Sequence, residues 1–319
     1  MCDAGRYGYK FIDENRIEKP EIRANGNGEA VPAEAGWEQV LDQVAAKIKE
    51  AEQPIGVFLS PQLSNEELFL ARKLFAGPGK KFQIHFLSPN PEGDQDDFLI
   101  RADKNPNTKG GELLGFKPVI VGAHGRAPLQ DFLKMCEQGK IEGVFIFGQD
   151  LLTMVGAPFM APLNPKGAIN RAPTFNHLKW SVFIGSNQNL TSESSTFVLP
   201  SATYAEKNGT FTNFEGRVQK FNKAFQPLAD SRPEWVILQE LANRLGLNWN
   251  YSQEDEIFTE LGREIKVFHM TRRHPERSDT SSSAAKPRGS LRFFGLRPQN
   301  DNRLHSGKKH PHRGIQRNG

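Results

Sequence analysis

The chain has 319 residues, 37% of them hydrophobic and 24% charged, which is enough to bury a core as one large or two small domains. It contains no run of about eighteen apolar residues, so no membrane-spanning helix is expected; the opening MCDAGRYGYKF lacks a signal-peptide layout, and two cysteines, Cys2 and Cys136, cannot build a disulfide framework. The formal charge of +4 hides an asymmetry: residues 271–319 hold 12 Lys+Arg against 3 Asp+Glu, a balance of +9, which leaves −5 on the rest of the chain.

Taken in chain order, the first periodic segment is a helix whose apolar face is Trp37, Val40, Leu41, Val44, Ala45 and Ile48. A strand-like run, Ile55–Ser60, follows. Ser64 and Glu67 then form a capping box ahead of the stripe Leu68, Leu70, Ala71 and Leu74. Strands are predicted at Phe82–Ser88, Pro118–Ala123, Gly143–Gly148, Ser181–Gly185 and Phe197–Pro200, several of them apolar throughout, as strands covered on both faces should be. A helix carrying Leu129, Phe132, Leu133 and Cys136 precedes the third of these. Another opens near Pro233 and stops at Gly246. Residues 88–112 and the proline-rich 156–176 read as long loops.

The alternation predicts an α/β fold: a largely parallel, doubly wound, Rossmann-like sheet with a short hairpin and a disordered C-terminal tail. The hairpin sits in VLPSATYAEKNGTFTNFEGRVQK, residues 198–220. There Thr210–Asn213 and Arg217–Lys220 flank Phe214-Glu215-Gly216, with Gly216 left-handed. Glu206, Lys207, Glu215 and Arg217 are expected to crowd one edge as solvated ion pairs. Among the histidines, His85 reads as a satisfied core residue, His124 as a surface turn residue and His177 as structural. No dinucleotide fingerprint, Walker sequence or paired metal-ligand spacing is present. A [4Fe–4S] cluster needs four thiolates. Cys136 lies on an apolar helix face, so the chain cannot bind such a cluster by itself.

Cys2-Asp3-Ala4-Gly5-Arg6-Tyr7-Gly8-Tyr9 is similar to the segment carrying the last cluster cysteine in molybdopterin oxidoreductases and in the large subunits of complex I. The run V-L-P-x-A-T-x-A-E-K-x-G-T-F-T-N-x-E-x-R-V-Q resembles the signature of the same superfamily and places Glu206, Lys207, Gly209, Thr210, Asn213, Glu215 and Arg217 in it. The variant Phe214-Glu215-Gly216-Arg217 leans toward the large iron–sulfur subunit of bacterial NADH-quinone oxidoreductase. Segments such as SPQLSNEELFLARKLF and GKIEGVFIFGQDLL agree, and the resemblance covers about residues 1–262. It implies residues 1–36 as the truncated end of an iron–sulfur subdomain, with Cys2 as candidate fourth [4Fe–4S] and metal ligand. Residues 37–265 become a molybdopterin-oxidoreductase-like domain and 266–319 a basic tail.

On this reading the chain supports electron transfer from NADH to quinone, mainly as a structural module. It has no catalytic residue and no cofactor of its own, and the 4Fe-4S cluster belongs to the full parent. Its partners are the other subunits of the complex I peripheral arm, and it is cytoplasmic and peripheral to the inner face of the cell membrane. The alternative is a molybdopterin-dependent oxidoreductase of the formate dehydrogenase type. Molybdopterin is not expected, because residues 82–115 contain no cysteine and the loop 88–112 stands where longer enzymes have a large section. Nor is nucleic-acid binding expected, although the tail interleaves Phe293 and Phe294 with its basic residues.

Overall fold

The computed structural model describes residues 8–23, 33–77, 81–88, 93–97, 100–120, 127–154 and 177–271. The chain divides into a unit of residues 1–274 and a second of 275–319; the second lies wholly outside the described residues, as do Cys2, His124 and the segment 155–176.

Five helices carry the body: α1 (Trp37–Glu50), α2 (Asn65–Phe75), α4 (Ala127–Glu137), α7 (Glu234–Arg244) and α8 (Glu254–Glu264). Short helices are α3 (Thr108–Leu113), α5 (Leu151–Met154), α6 (Leu190–Ser194) and α9 (Lys266–Thr271). The strands are β1 (Glu21–Ile22), β2 (Ala33–Glu34), β3 (Ile55–Leu59), β4 (Phe82–Ser88), β5 (Pro118–Ile120), β6 (Gly143–Phe147), β7 (Trp180–Gly185), β8 (Phe197–Pro200), β9 (Gly209–Thr212) and β10 (Val218–Phe221).

One eight-stranded sheet has the order β2-β1-β8-β7-β6-β3-β4-β5. The six strands from β8 to β5 run parallel, while β1 and β2 close one edge antiparallel. Numbered by their own appearance, the six parallel strands follow the 3-2-1-4-5-6 order of a doubly wound Rossmann sheet. The chain proceeds outward from β3 to β4 and β5, then crosses back to β6 and proceeds the other way. The strand order therefore reverses between β3 and β6.

Period-two alternation sorts the strand side chains onto two cores. Val57, Leu59, Phe145, Phe147, Val182, Ile184, Phe197 and Leu199 face α1, α2, α7 and α8. On the other face Phe58, Val144, Ile146, Phe183 and Val198 meet Leu129, Phe132 and Cys136 of α4 and Leu151 and Leu152 of α5. Coverage on both faces explains why β3, β6 and β7 are buried at every position. Cys136 is one of those core residues. It is fully buried, and burial pushes its thiol up to about 12, so it behaves as a small hydrophobe.

Several sequence expectations change here. The segment 88–112 is not loop throughout, because Thr108 starts α3. That helix is fixed from outside: the Asn107 side chain donates to the Leu63 carbonyl (2.9 Å) and accepts from the Thr212 N–H (2.8 Å). The tail begins later than residue 266, since Lys266–Thr271 form α9 and Phe268 is buried against Phe258. The described residues of 1–36 include β1 and β2, which extend the main sheet rather than standing apart from it. His85 is not a satisfied core histidine. It stacks on Phe58 (centroids 4.8 Å apart) and meets Phe132 edge-on, and its buried Nε2 has no hydrogen-bond partner. Burial holds its pKa below the usual imidazole range. His177 is exposed.

Candidate functional site

In an open α/β sheet, ligands bind outside the carboxyl ends of the strands, where the order reverses. That crevice lies between the segment Ser60–Ser64 after β3 and the segment Gly148–Asp150 after β6. Ser60 accepts from the Gln62 N–H (3.2 Å), and Ser64 caps α2 in a complete box with Glu67. On the opposite lip the Gly148 N–H donates to the Ile184 carbonyl (2.8 Å), and a side chain at Gly148 would enter open space. Asp150 has structural work: it accepts from the Thr191 hydroxyl (2.8 Å) and the Thr153 hydroxyl (2.6 Å), pinning α5 to α6.

Gln149, between them, is different. It is 2% exposed, yet neither its amide oxygen nor its amide nitrogen has a partner. A buried amide left unpaired costs roughly 1–3 kcal/mol. That unpaired amide stands at a strand's carboxyl end, beside the reversal point. A primary amide offers a donor and an acceptor side by side. That pair complements the amide-like edge of a fused heterocycle such as a pterin. Small buried hydroxyls continue the rim, with Ser88 and Ser201 at the ends of β4 and β8. Among the described residues no three His, Cys, Asp or Glu side chains converge to hold a metal ion.

The residues singled out in the second sequence motif lie apart from Gln149's lip and divide into two groups. Glu206 and Lys207 are buried, not solvated. Glu206 forms a two-pronged pair with Arg16, Nη1 to Oε1 at 3.1 Å and Nη2 to Oε2 at 2.8 Å, and also accepts from the N–H groups of Thr203 and Leu228. Although burial alone would raise it, the Arg16 hydrogen bonds hold its carboxyl below the usual range. Lys207 donates to both oxygens of Glu67 (2.9 Å each) and to Glu234 (2.5 Å). Thr210 donates through its N–H (2.9 Å) and hydroxyl (2.8 Å) to Glu66. Gly209 is required by close approach, because a Cβ there would lie 2.8 Å from the Phe221 ring and 3.0 Å from the Ser64 Cβ.

The second group sits at the hairpin tip. Asn213 accepts from the N–H groups of Glu215 and Arg217 through its side chain, and Gly216 has φ +83°, as the three-residue turn demands. Glu215 and Arg217 are solvent-facing and 3.8 Å apart, so the expected crowding with Glu206 and Lys207 does not occur. The motif is thus a clasp: it fastens the hairpin and the residue 201–208 turn to the amino ends of α2 and α7. The sequence reading missed Gln149, whose only signal was a polar residue directly after the apolar strand GVFIFG.

Residues 121–244 match the family model described as molybdopterin oxidoreductase. This stretch is a molybdopterin oxidoreductase family domain. The segment includes Gln149 and all the residues of the second motif. The chain is 36% identical over 160 residues to "Putative formate dehydrogenase YrhE" of Bacillus subtilis, covering 50% of this chain and 15% of that protein. It is 53% identical over 64 residues to a protein of the same description from Staphylococcus haemolyticus, covering 20% of this chain and 6% of the relative. Among solved structures, acetylene hydratase from Pelobacter acetylenicus shares the fold, with a TM-score of 0.50 and 10% identity, over 81% of this chain and 66% of that one.

The expectation that molybdopterin is absent from this protein's chemistry is thereby overturned. It rested on a missing metal-ligating cysteine in residues 82–115 and on the loop 88–112 standing where longer enzymes have a large section. Metal ligation and pterin binding are separate tasks, however, and the family match and the relatives' descriptions point to molybdopterin. The relatives' descriptions also favour the formate dehydrogenase alternative over the complex I subunit. Among the described residues no helix is long and apolar enough to cross a membrane.

Proposed function

We propose that this chain is part of a molybdopterin-dependent oxidoreductase of the formate dehydrogenase type, and that its α/β unit holds the pterin portion of the cofactor at the β3–β6 crevice. The observation that carries the reading is the buried, unpartnered Gln149 at the reversal point, inside the family-matched segment. The bound group would supply two-electron redox chemistry. Gln149 would orient it by pairing with its ring edge, and the Ser60–Ser64 segment, held by the α2 cap, would form the facing wall. The apolar strands beneath would keep water from the underside. The match spans 15% of the length of the Bacillus relative.

Binding to the folded state alone raises stability by about 2.7 kcal/mol at a ligand concentration 100 times Kd. Released molybdopterin cofactor is therefore expected to raise the unfolding midpoint of the wild-type chain and to have much less effect on Gln149→Leu, whose own fold is unharmed. Equal shifts in the two proteins would contradict the assignment of Gln149. With cofactor loaded, formate-dependent reduction of an artificial electron acceptor supports the formate dehydrogenase type; reduction indifferent to formate sinks that finer reading.

A further inference from the structure

The clasp buries more carboxyls than it can neutralise. Glu66, Glu67 and Glu234 are 1%, 0% and 6% exposed, and the cation among them is Lys207, itself 3% exposed. Among the described residues the surrounding elements offer no further positive charge to this group. Arg16 is spent on Glu206. On α3, Lys109 pairs with Glu112 at the surface. Lys73 of α2 pairs with Glu260 of α8, and Arg232 with Glu240 of α7. Arg244 of α7 meets Glu38 and Asp42 of α1. β9 contributes to it only the neutral N–H and hydroxyl of Thr210, both on Glu66, and Lys220 of β10 pairs with Asp255. Three carboxylates against one ammonium would leave two uncompensated charges in the interior, which proteins avoid by retaining protons.

We propose that the clasp is proton-locked: Glu234 keeps its proton and donates it to Glu67, Glu66 stays neutral beside Thr210, and loss of these protons to solvent loosens the hairpin and the amino end of α7 from α2. Geometry supports this directly, since the carboxyls of Glu67 and Glu234, both buried, converge on the one Lys207 ammonium, at 2.9 Å and 2.5 Å. Burial raises Glu234 to about 8, reinforced by the negative charge of Glu67, and raises Glu66 to about 7. Against the effect of burial, Lys207 holds Glu67 down, as the acceptor in such a pair should be held.

Both raised groups bind their protons more tightly in the folded than in the unfolded chain. Their effect on stability is nil below the unfolded value of 4.5; it becomes a progressive loss as pH rises, and levels off above about 8. Each proton released changes the unfolding equilibrium about tenfold per pH unit within its window. Glu206, with its depressed value, acts oppositely and only as pH falls below 4.5, so it does not mask the loss.

The test is urea denaturation of the full chain from pH 5.5 to 9, comparing wild type with Glu234→Gln and Glu66→Gln. Wild type is expected to lose stability toward pH 8, and each amide variant, mimicking the protonated acid, should flatten the slope by about one proton. An unchanged slope in both variants would overturn the proposal. Because a variant can fail to fold, the infrared spectrum of wild type is read as well. A buried carboxylic-acid carbonyl band present at pH 6 and lost by pH 9 supports the lock, and absence of the band at pH 6 refutes it.

Discussion

Lys207→Met is expected to destabilise the fold by about 3–5 kcal/mol at pH 8, the usual result of removing one partner from a buried ion pair. The Lys207 ammonium lies 2.9 Å from both oxygens of Glu67 and 2.5 Å from Glu234, and methionine would leave the two carboxyls without a cation. They can escape by protonation, so the deficit should shrink as pH falls toward 5. Adding Glu67→Gln and Glu234→Gln to the methionine variant should recover most of the loss, since only Glu66, bonded to Thr210, can then carry a charge. Urea midpoints measured at pH 5.5 and 8 decide the matter. A loss below about 1 kcal/mol at pH 8 is the magnitude of an exposed pair and would mean that water reaches the site.

Arg16→Met is the second large effect, again about 3–5 kcal/mol. The guanidinium does more than neutralise Glu206. It donates to the carbonyls of Ile12 (2.5 Å) and Ser186 (3.1 Å), so it ties the amino-terminal segment to the end of β7 and to the 203–208 turn. Glu206 would retain the N–H groups of Thr203 and Leu228, which is why the loss is expected to be local as well as global. Hydrogen exchange should rise selectively at Tyr9–Ile17 and at Ser186–Gln188, while β3 and β6 stay protected. Uniform exchange across the sheet would show that Arg16 is not a local tether. Arg16→Lys is not expected to rescue, because an ammonium cannot reproduce the two-pronged contact.

Much of this fold was written in hydrophobic patterning. The apolar runs at Ile55, Phe82, Pro118, Gly143, Ser181 and Phe197 are the six parallel strands, because strands covered on both faces have no polar alternation to obscure them. The α1 stripe and the Ser64–Glu67 box appear as read. What patterning could not show was held by tertiary contacts. β1 and β2 are two residues long and exist as additions to the edge of β8. α3 depends on Asn107 bonding outside its own helix, and α8 carries only Ile257, Phe258 and Leu261 on an otherwise polar segment.

The site was less legible. Charged residues in a turn-rich motif suggest a wet surface, and only the packing of β9 against the α2 terminus shows that Glu206 and Lys207 are enclosed. Reading Glu215 and Arg217 with them failed because a three-residue hairpin carries its tip away from its base. Gln149 has no motif at all. Its meaning comes from strand order, which places the end of β6 at the reversal point, and strand order is not a local property of sequence.

The central claim is that the β3–β6 crevice holds a molybdopterin. The most direct test is the pterin content of the full chain purified from a host that makes the cofactor, read as the fluorescence of the oxidised pterin released on denaturation. Close to stoichiometric pterin in wild type, with a sharp loss in a Gln149→Leu variant of equal or greater stability, is the result predicted. A stably folded wild-type chain that releases no pterin, and whose unfolding midpoint ignores added cofactor, would contradict it.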